Sequence, residues 1–318
     1  MTPPIPWARA WVRASRDFWA GHEPGEHFHT SAGPALAERV VRIVEETDAR
    51  LGHPDDFTVI DVGCGDGELL RRVRERVNAP LAQRARWIGV DMREVALPGV
   101  LSVAAEMPAD LTGMPFCGVV MAHEWLDEIP CDIVERGADS VDRVVLVDAR
   151  GQEMLGPALG DDVACAALGL DAPAMRDWVG RWWRLREPGD RAEIGLARDR
   201  AWAWMGGLLE AGLALATDYG HDAAERHDRY RHGTLTAYRR GRIVRATPDG
   251  SAGLTAHVAW DSCTEALPGT VLSWQRDEIA RATLPGEPDP AEVAHYFDTL
   301  RLRDPSRLGG VGWLRWEC

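Results

Sequence analysis

Lysine is missing from this 318-residue sequence, so all 36 of its basic residues are arginine. A Walker A phosphate loop ends on lysine and pyridoxal-phosphate enzymes form their Schiff base on one, so both classes are excluded. The six cysteines (Cys64, Cys117, Cys131, Cys165, Cys263 and Cys318) include no CxxC pair. No zinc knuckle, dithiol site, disulfide framework or other metal centre is therefore expected, and the thiols are expected to be reduced. Long apolar runs are also missing: nothing approaches the roughly 18 residues that span a bilayer. The stretch MTPPIPWARAWVRASRDFW lacks the continuous apolar core of a secretory signal. These absences lead us to expect a cytoplasmic protein with no membrane partner. Positive charge is outweighed, at a formal net charge of -14, which disfavours nucleic acid and suits a cationic substrate.

With 45% hydrophobic side chains, the sequence can bury one large core or two smaller ones. Its periodicity alternates between helix and strand. Residues Ala32 to Ala49 carry Leu36, Val40, Val41, Ile43 and Val44 on roughly one face and predict a helix. Short buried strands are predicted at Thr58–Val62, Arg86–Val90, Val100–Ala104, Gly118–Ala122 and Leu213–Thr217, with an amphipathic helix at Glu68–Val77. This order predicts an α/β fold, a Rossmann-like, mostly parallel sheet with helices on both faces. Two stretches break the rhythm, about 131–190, with hairpin strands at Ile133–Glu135 and Val144–Asp148, and about 222–263. They read as insertions within a single domain of residues 1–318 that form a wall or lid over a substrate. Trp178, Trp182, Trp183, Trp202 and Trp204 are spaced for helix faces, suited to packing against the sheet or to stacking on a substrate.

The stretch VIDVGCGDGEL (59–69) places Gly63, Gly65 and Gly67 between a strand and a helix. Small ligands bind where such a loop turns at the carboxyl end of a parallel sheet. Its GxGxG spacing differs from the GxGxxG that cradles a dinucleotide pyrophosphate. Asp61 adds a carboxylate that favours a cationic ligand, and Asp91, at the end of the next strand, suits the hydroxyls of a ribose.

This assembly of DVGCGDG, strand and terminal Asp91 resembles class I S-adenosylmethionine-dependent methyltransferases. Further stretches, FHTS (28–31), HEWLDEIP (123–130), TDYGH (217–221), GTLTAY (233–238) and LTAHV (254–258), come in the order of the MidA-like methyltransferases. That family includes the mitochondrial arginine methyltransferase that assists complex I assembly. Glu124, Asp127, Asp218, Tyr219, Gly220, Thr255 and His257 match the family pattern. The chain departs from it at His123, usually asparagine, at Gly253, usually an acid, and at Ala259, usually polar or acidic.

The resemblance implies S-adenosyl-L-methionine as cofactor, held by Thr30, Ser31, Asp61, Gly63, Cys64, Gly65, Gly67, Asp91, Met92, Glu106, Met107 and His123. Thr30 and Ser31 either line the cofactor entrance or cap the first helix. It implies Glu124, Asp127 and His257 as catalytic residues and Asp218, Tyr219 and His221 as substrate-binding residues. Glu124 and Asp127 suit a cationic guanidinium, though both also suit capping of a following helix. His257 suits a base for a neutral hydroxyl, and equally a hydrogen-bonded structural histidine. The expected reaction is methylation of an arginine side chain of a protein. The alternatives are a small-molecule O- or N-methyltransferase and a non-catalytic assembly factor that keeps the fold.

Overall fold

Strand Thr58–Val62 (β1) is buried at all of its positions, as a central strand must be when both faces of a parallel sheet are covered. The computed structural model describes residues 3–21, 32–105, 115–283 and 289–318. They form two compact units, one of Thr30–Leu126, Trp202–Tyr219 and Leu267–Cys318, the other of Met1–His29, Asp127–Ala201 and Gly220–Ala266.

Among the described residues the first unit is built on a seven-stranded sheet. After β1 come Arg86–Asp91 (β2), Leu101–Ala104 (β3), Phe116–His123 (β4), Leu209–Asp218 (β5), Val271–Trp274 (β6) and Gly312–Glu317 (β7). Their order across the sheet is β3-β2-β1-β4-β5-β7-β6. All neighbours from β3 to β5 pair parallel, whereas β7 runs antiparallel to both β5 and β6. The order reverses between β1 and β4, and at such a switch point the chain leaves adjacent carboxyl ends in opposite directions and opens a crevice.

Helix Pro34–Arg50 (α1) buries Leu36, Val40, Val41, Ile43 and Val44, the face expected from the sequence. It starts at Pro34 rather than Ala32, and no side chain of its N-cap residue, Gly33, caps it. The Asp298 carboxylate instead accepts a hydrogen bond from the Ala35 amide at 3.0 Å, satisfying one of the orphan donors of the first turn. Helix Glu68–Arg76 (α2) follows the glycine loop and buries Leu69, Leu70 and Val73. The five predicted sheet strands are present, with β4 and β5 longer than expected and β6 and β7 not foreseen.

In the second unit, strands Ile5–Pro6, Asp142–Val147, Ile133–Arg136 and Arg191–Glu193 lie in that order, with Glu153–Ala158 also paired to Asp142–Val147. Adjacent residues of one strand point to opposite faces. Ile133 and Val145 accordingly pack in a cluster with Trp7 and Trp11 of helix Trp7–Gly21. Val134 and Val144 pack with Trp178, Val179 and Trp183. Trp178 belongs to helix Ala172–Trp182, so its spacing served packing on the sheet. The segments 131–190 and 222–263 both fall in this unit, together with helix Trp7–Gly21, for which the sequence reading placed no element. No helix among the described residues is long and apolar enough to cross a membrane.

Candidate functional site

The turn from β1 into α2 is made by backbone that only glycine adopts readily. Gly63, Gly65 and Gly67 have φ of 69°, 59° and 76°, in the left-handed region. A Cβ on Gly63 would lie 2.4 Å from Cδ1 of Trp125, so the indole roofs the turn closely. The amides of Gly63 and Cys64 donate to the Val90 carbonyl at 2.8 and 3.1 Å, and the Gly67 amide to the Cys64 carbonyl at 2.8 Å. These bonds tie the loop to the end of β2.

Asp91 sits on that end, and its carboxylate is held by the loop: the Gly65 amide donates to one oxygen at 2.9 Å, the Arg93 amide to the other at 3.3 Å. Met92 follows, half-buried. Asp61 is different. Its side chain is buried, and neither carboxyl oxygen has a hydrogen-bond partner among the described residues. Burial, and next the neighbouring Asp91, push its pKa up to about 8. Asp91 is also raised by burial, with the Gly65 and Arg93 amides opposing the shift. Burial and these two acids together push the Cys64 thiol up, which leaves it un-ionised and inert. A buried acid left wholly unsatisfied beside a half-buried second acid forms the complement of a cation, because an unpaired buried carboxyl calls for a partner.

At the end of β4, Glu124 has a left-handed φ of 52°, a conformation that non-glycine residues adopt rarely and often at functional sites. Its amide donates to the Thr217 carbonyl of β5 at 2.9 Å. His123 Nδ1 lies 2.5 Å from Thr217 Oγ1, and its Nε2 lies 3.6 Å from Glu124 Oε1. Burial lowers the His123 pKa, with Glu124 opposing the shift. Asp218 is buried at the end of β5 and accepts from the Tyr219 amide at 2.8 Å. Tyr219 packs against the main core. Thr30, Ser31, Glu106 and Met107 lie outside the described residues.

The remaining three candidates belong to the second unit. Asp127 Oδ2 accepts from Thr255 Oγ1 at 2.5 Å. His221 Nδ1 accepts from Arg226 Nε at 3.1 Å, which places its own proton on Nε2, a buried atom with no partner among the described residues. Arg226 is held in turn by Asp261. The rings of Tyr230 and His257 lie 5.4 and 6.4 Å from that of His221. Burial first, then Arg198 and Arg229, bring the His257 pKa down to about 4. Burial, and after it Arg226, His257 and Arg198, lower His221 well below its ordinary value. Both imidazoles are therefore neutral at neutral pH.

The first unit thus gathers Asp61, Gly63, Cys64, Gly65, Gly67 and Asp91 around one loop and sets His123 beside Glu124. Trp125 was missed by the sequence reading although it stands in HEWLDEIP. Arg198 and Glu193 were also missed, and nothing in the sequence separates Arg198 from the other arginines.

A parallel sheet in this order with an antiparallel β7, a glycine-rich turn after β1 and an acid after β2 is the class I methyltransferase-like α/β architecture. The family described as "Putative S-adenosyl-L-methionine-dependent methyltransferase" matches residues 35–274, and the chain belongs to it. It is an S-adenosylmethionine-dependent methyltransferase. The fold is similar to that of a superfamily member and "likely methyl transferase" from Burkholderia thailandensis bound to S-adenosyl-homocysteine, at a TM-score of 0.70 and 20% identity, over 99% of this chain and 88% of that one. A native crystal structure from the same organism is alike, with a TM-score of 0.70, 20% identity, and coverage of 99% and 87%. No curated protein matches the sequence.

Proposed function

We propose that this chain holds S-adenosylmethionine against the Gly63–Gly67 loop and transfers its methyl group to an arginine side chain of a protein. The observation that carries the cofactor placement is Asp61, a buried carboxyl without a partner beside a second acid. The bound cofactor supplies an electrophilic methyl group on a positively charged sulfur. The chain supplies position and charge. Asp91, anchored by the loop amides, has lone pairs left for the ribose hydroxyls. Asp61 answers the positive charge of the ligand, and Gly63 and Gly65 let the backbone come close to it.

Alignment of nucleophile and methyl group is then the main requirement, with water kept out. Glu124 is held by its strained backbone and by Thr217. In this reading it grips the guanidinium and takes up the proton that the nitrogen loses as the new bond forms. We assign Asp127, His221 and His257, with the segments 131–190 and 222–263, to shaping the acceptor side. A small-molecule oxygen or nitrogen acceptor is the second reading. His257, unprotonated at neutral pH, is the base this reading offers, although burial, Arg198 and Arg229 weaken it as a proton acceptor.

Incubation of the protein and methyl-labelled S-adenosylmethionine with a cell extract tests both readings. Label in a protein band, recovered as methylarginine after hydrolysis, supports the first. Label confined to a metabolite overturns it in favour of the second.

A further inference from the structure

Motifs separated along the sequence meet on one buried side chain. Arg198, on helix Leu196–Gly207, is 1% exposed and has no carboxylate at ion-pair distance among the described residues. Its guanidinium spends its donors on backbone carbonyls. Nη2 donates to Asp127 O at 2.9 Å, Nη1 to His257 O at 2.9 Å and Nε to Ile129 O at 3.2 Å. The two segments so joined are HEWLDEIP and LTAHV. The Ala256 amide also donates to the Asp127 carbonyl, at 3.1 Å, and Thr255 binds the Asp127 carboxylate.

The other side of His257 is fixed as well. Its amide donates to Thr234 Oγ1 at 2.8 Å, and Glu193 accepts from the Thr234 and Leu235 amides at 2.8 and 3.1 Å, which draws in GTLTAY. A buried cation without a direct ion pair is expensive even with the Asp199 carboxylate near enough to feel its charge, and an apolar residue would fill the same space at lower cost. What an apolar residue could not do is offer donors in a rigid planar fork that holds three carbonyls at set separations.

We propose that Arg198 is a positioning residue for methyl transfer, fixing the backbone of Asp127 against that of His257. The inference rests on the reading that these two residues serve the acceptor. Its charge has a second effect. Arg198 and Arg229 oppose protonation of the His257 imidazole, whose neighbours include the rings of His221 and Tyr230. Arg198 thus sets where His257 stands and adds to the burial that keeps it uncharged.

Two variants separate fork from charge. Arg198→Met removes both, and Arg198→Lys keeps the charge but offers one ammonium where three carbonyls must be met. The readouts are the NMR titration of the His257 ring, calorimetric binding of S-adenosylhomocysteine, and labelled methyl transfer into a cell extract. In Arg198→Met the His257 pKa should rise and transfer should fall at least about tenfold, with cofactor affinity kept within about twofold. Arg198→Lys should leave the His257 titration close to that of the parent and still lose transfer.

Parental transfer in Arg198→Lys overturns the positioning role, and an unmoved His257 titration in Arg198→Met overturns the charge role. If Arg198→Met does not fold, Arg198→Lys decides the positioning role, and the His257 titration in Arg198→Gln, which removes the charge but keeps polar contacts, decides the charge role. His257→Ala and Asp127→Asn, run alongside, test the underlying reading. Parental transfer in both would remove these residues from the acceptor side, whereas loss of transfer in them with none in Arg198→Lys would sink only the present inference.

Discussion

The candidate residue most strongly shifted is an acid in the first unit and a histidine in the second. The first hides Asp61 beside Asp91, and desolvation there holds a proton on an acid up to about pH 8. The second hides His257 near Arg198 and Arg229, and desolvation there keeps a proton off a base down to about pH 4. Burial opposes charge in both cases, so it protonates the acid and deprotonates the histidine. The consequences for stability have opposite signs. Asp61 is raised on folding from its ordinary value of 3.8, so its contribution is complete below that value and is lost as pH rises through about 8. His257 is lowered from 6.5, so its contribution is complete above 6.5 and is lost as pH falls through about 4. An acid held protonated by burial ionises more readily once a cation sits beside it, whereas a histidine held neutral by burial is a weakened base.

Several substitutions would break or sharpen this contrast. The largest effect is expected at Glu124, whose carboxylate is assigned to the acceptor rather than to the cofactor. Glu124→Gln should lower kcat by about 10²- to 10⁴-fold, the range for a lost general base, while calorimetry shows unchanged S-adenosylhomocysteine binding. Loss of cofactor binding instead would move Glu124 into the cofactor shell. Next comes Asp91→Ala, which should weaken cofactor binding by about 1 to 3 kcal/mol, the scale for hydrogen bonds to a charged group. Unchanged affinity with the fold intact would remove Asp91 from the site.

A smaller and graded effect belongs to Asp61. Its proton must leave before the carboxylate can answer a cation, so S-adenosylmethionine affinity should rise with pH and level off above about 8, by at most about tenfold per pH unit. Titrations in buffers of different ionisation enthalpy should detect proton release on binding, and Asp61→Asn should abolish it. The smallest effect is a control: Asn78 caps helix Ala79–Arg84 by accepting from the Leu81 amide at 3.1 Å. Asn78→Ala should cost about 1 kcal/mol in chemical denaturation and leave cofactor affinity unchanged.

The first unit was far more legible in the sequence than the second. Its central strands are buried on both faces, and their apolar runs stand out from the flanking turns. β1 was foreseen with both ends in place. β6 and β7 were not, because an antiparallel edge pair carries polar residues such as Ser273, Arg315 and Glu317 among its apolar ones. Both units are assembled from three stretches of chain, but the second is built on antiparallel strands of two to six residues, whose pairings no local period reports. Trp7 and Trp11 look like isolated aromatics until Ile133 and Val145 are placed beside them. The glycine loop and its two acids were readable because close approach and charge restrict residue type at fixed spacing. Arg198 was unreadable because its partners are carbonyl oxygens, which every residue has.

The left-handed backbone of Glu124 has a further consequence. A side chain in that region costs about 1 to 2 kcal/mol that glycine would not incur. Selection of this chain for thermal resistance alone, with turnover unmonitored, should therefore return glycine at position 124. The hardened enzyme would be silent, since the position that gives up strain is the one that presents the carboxylate.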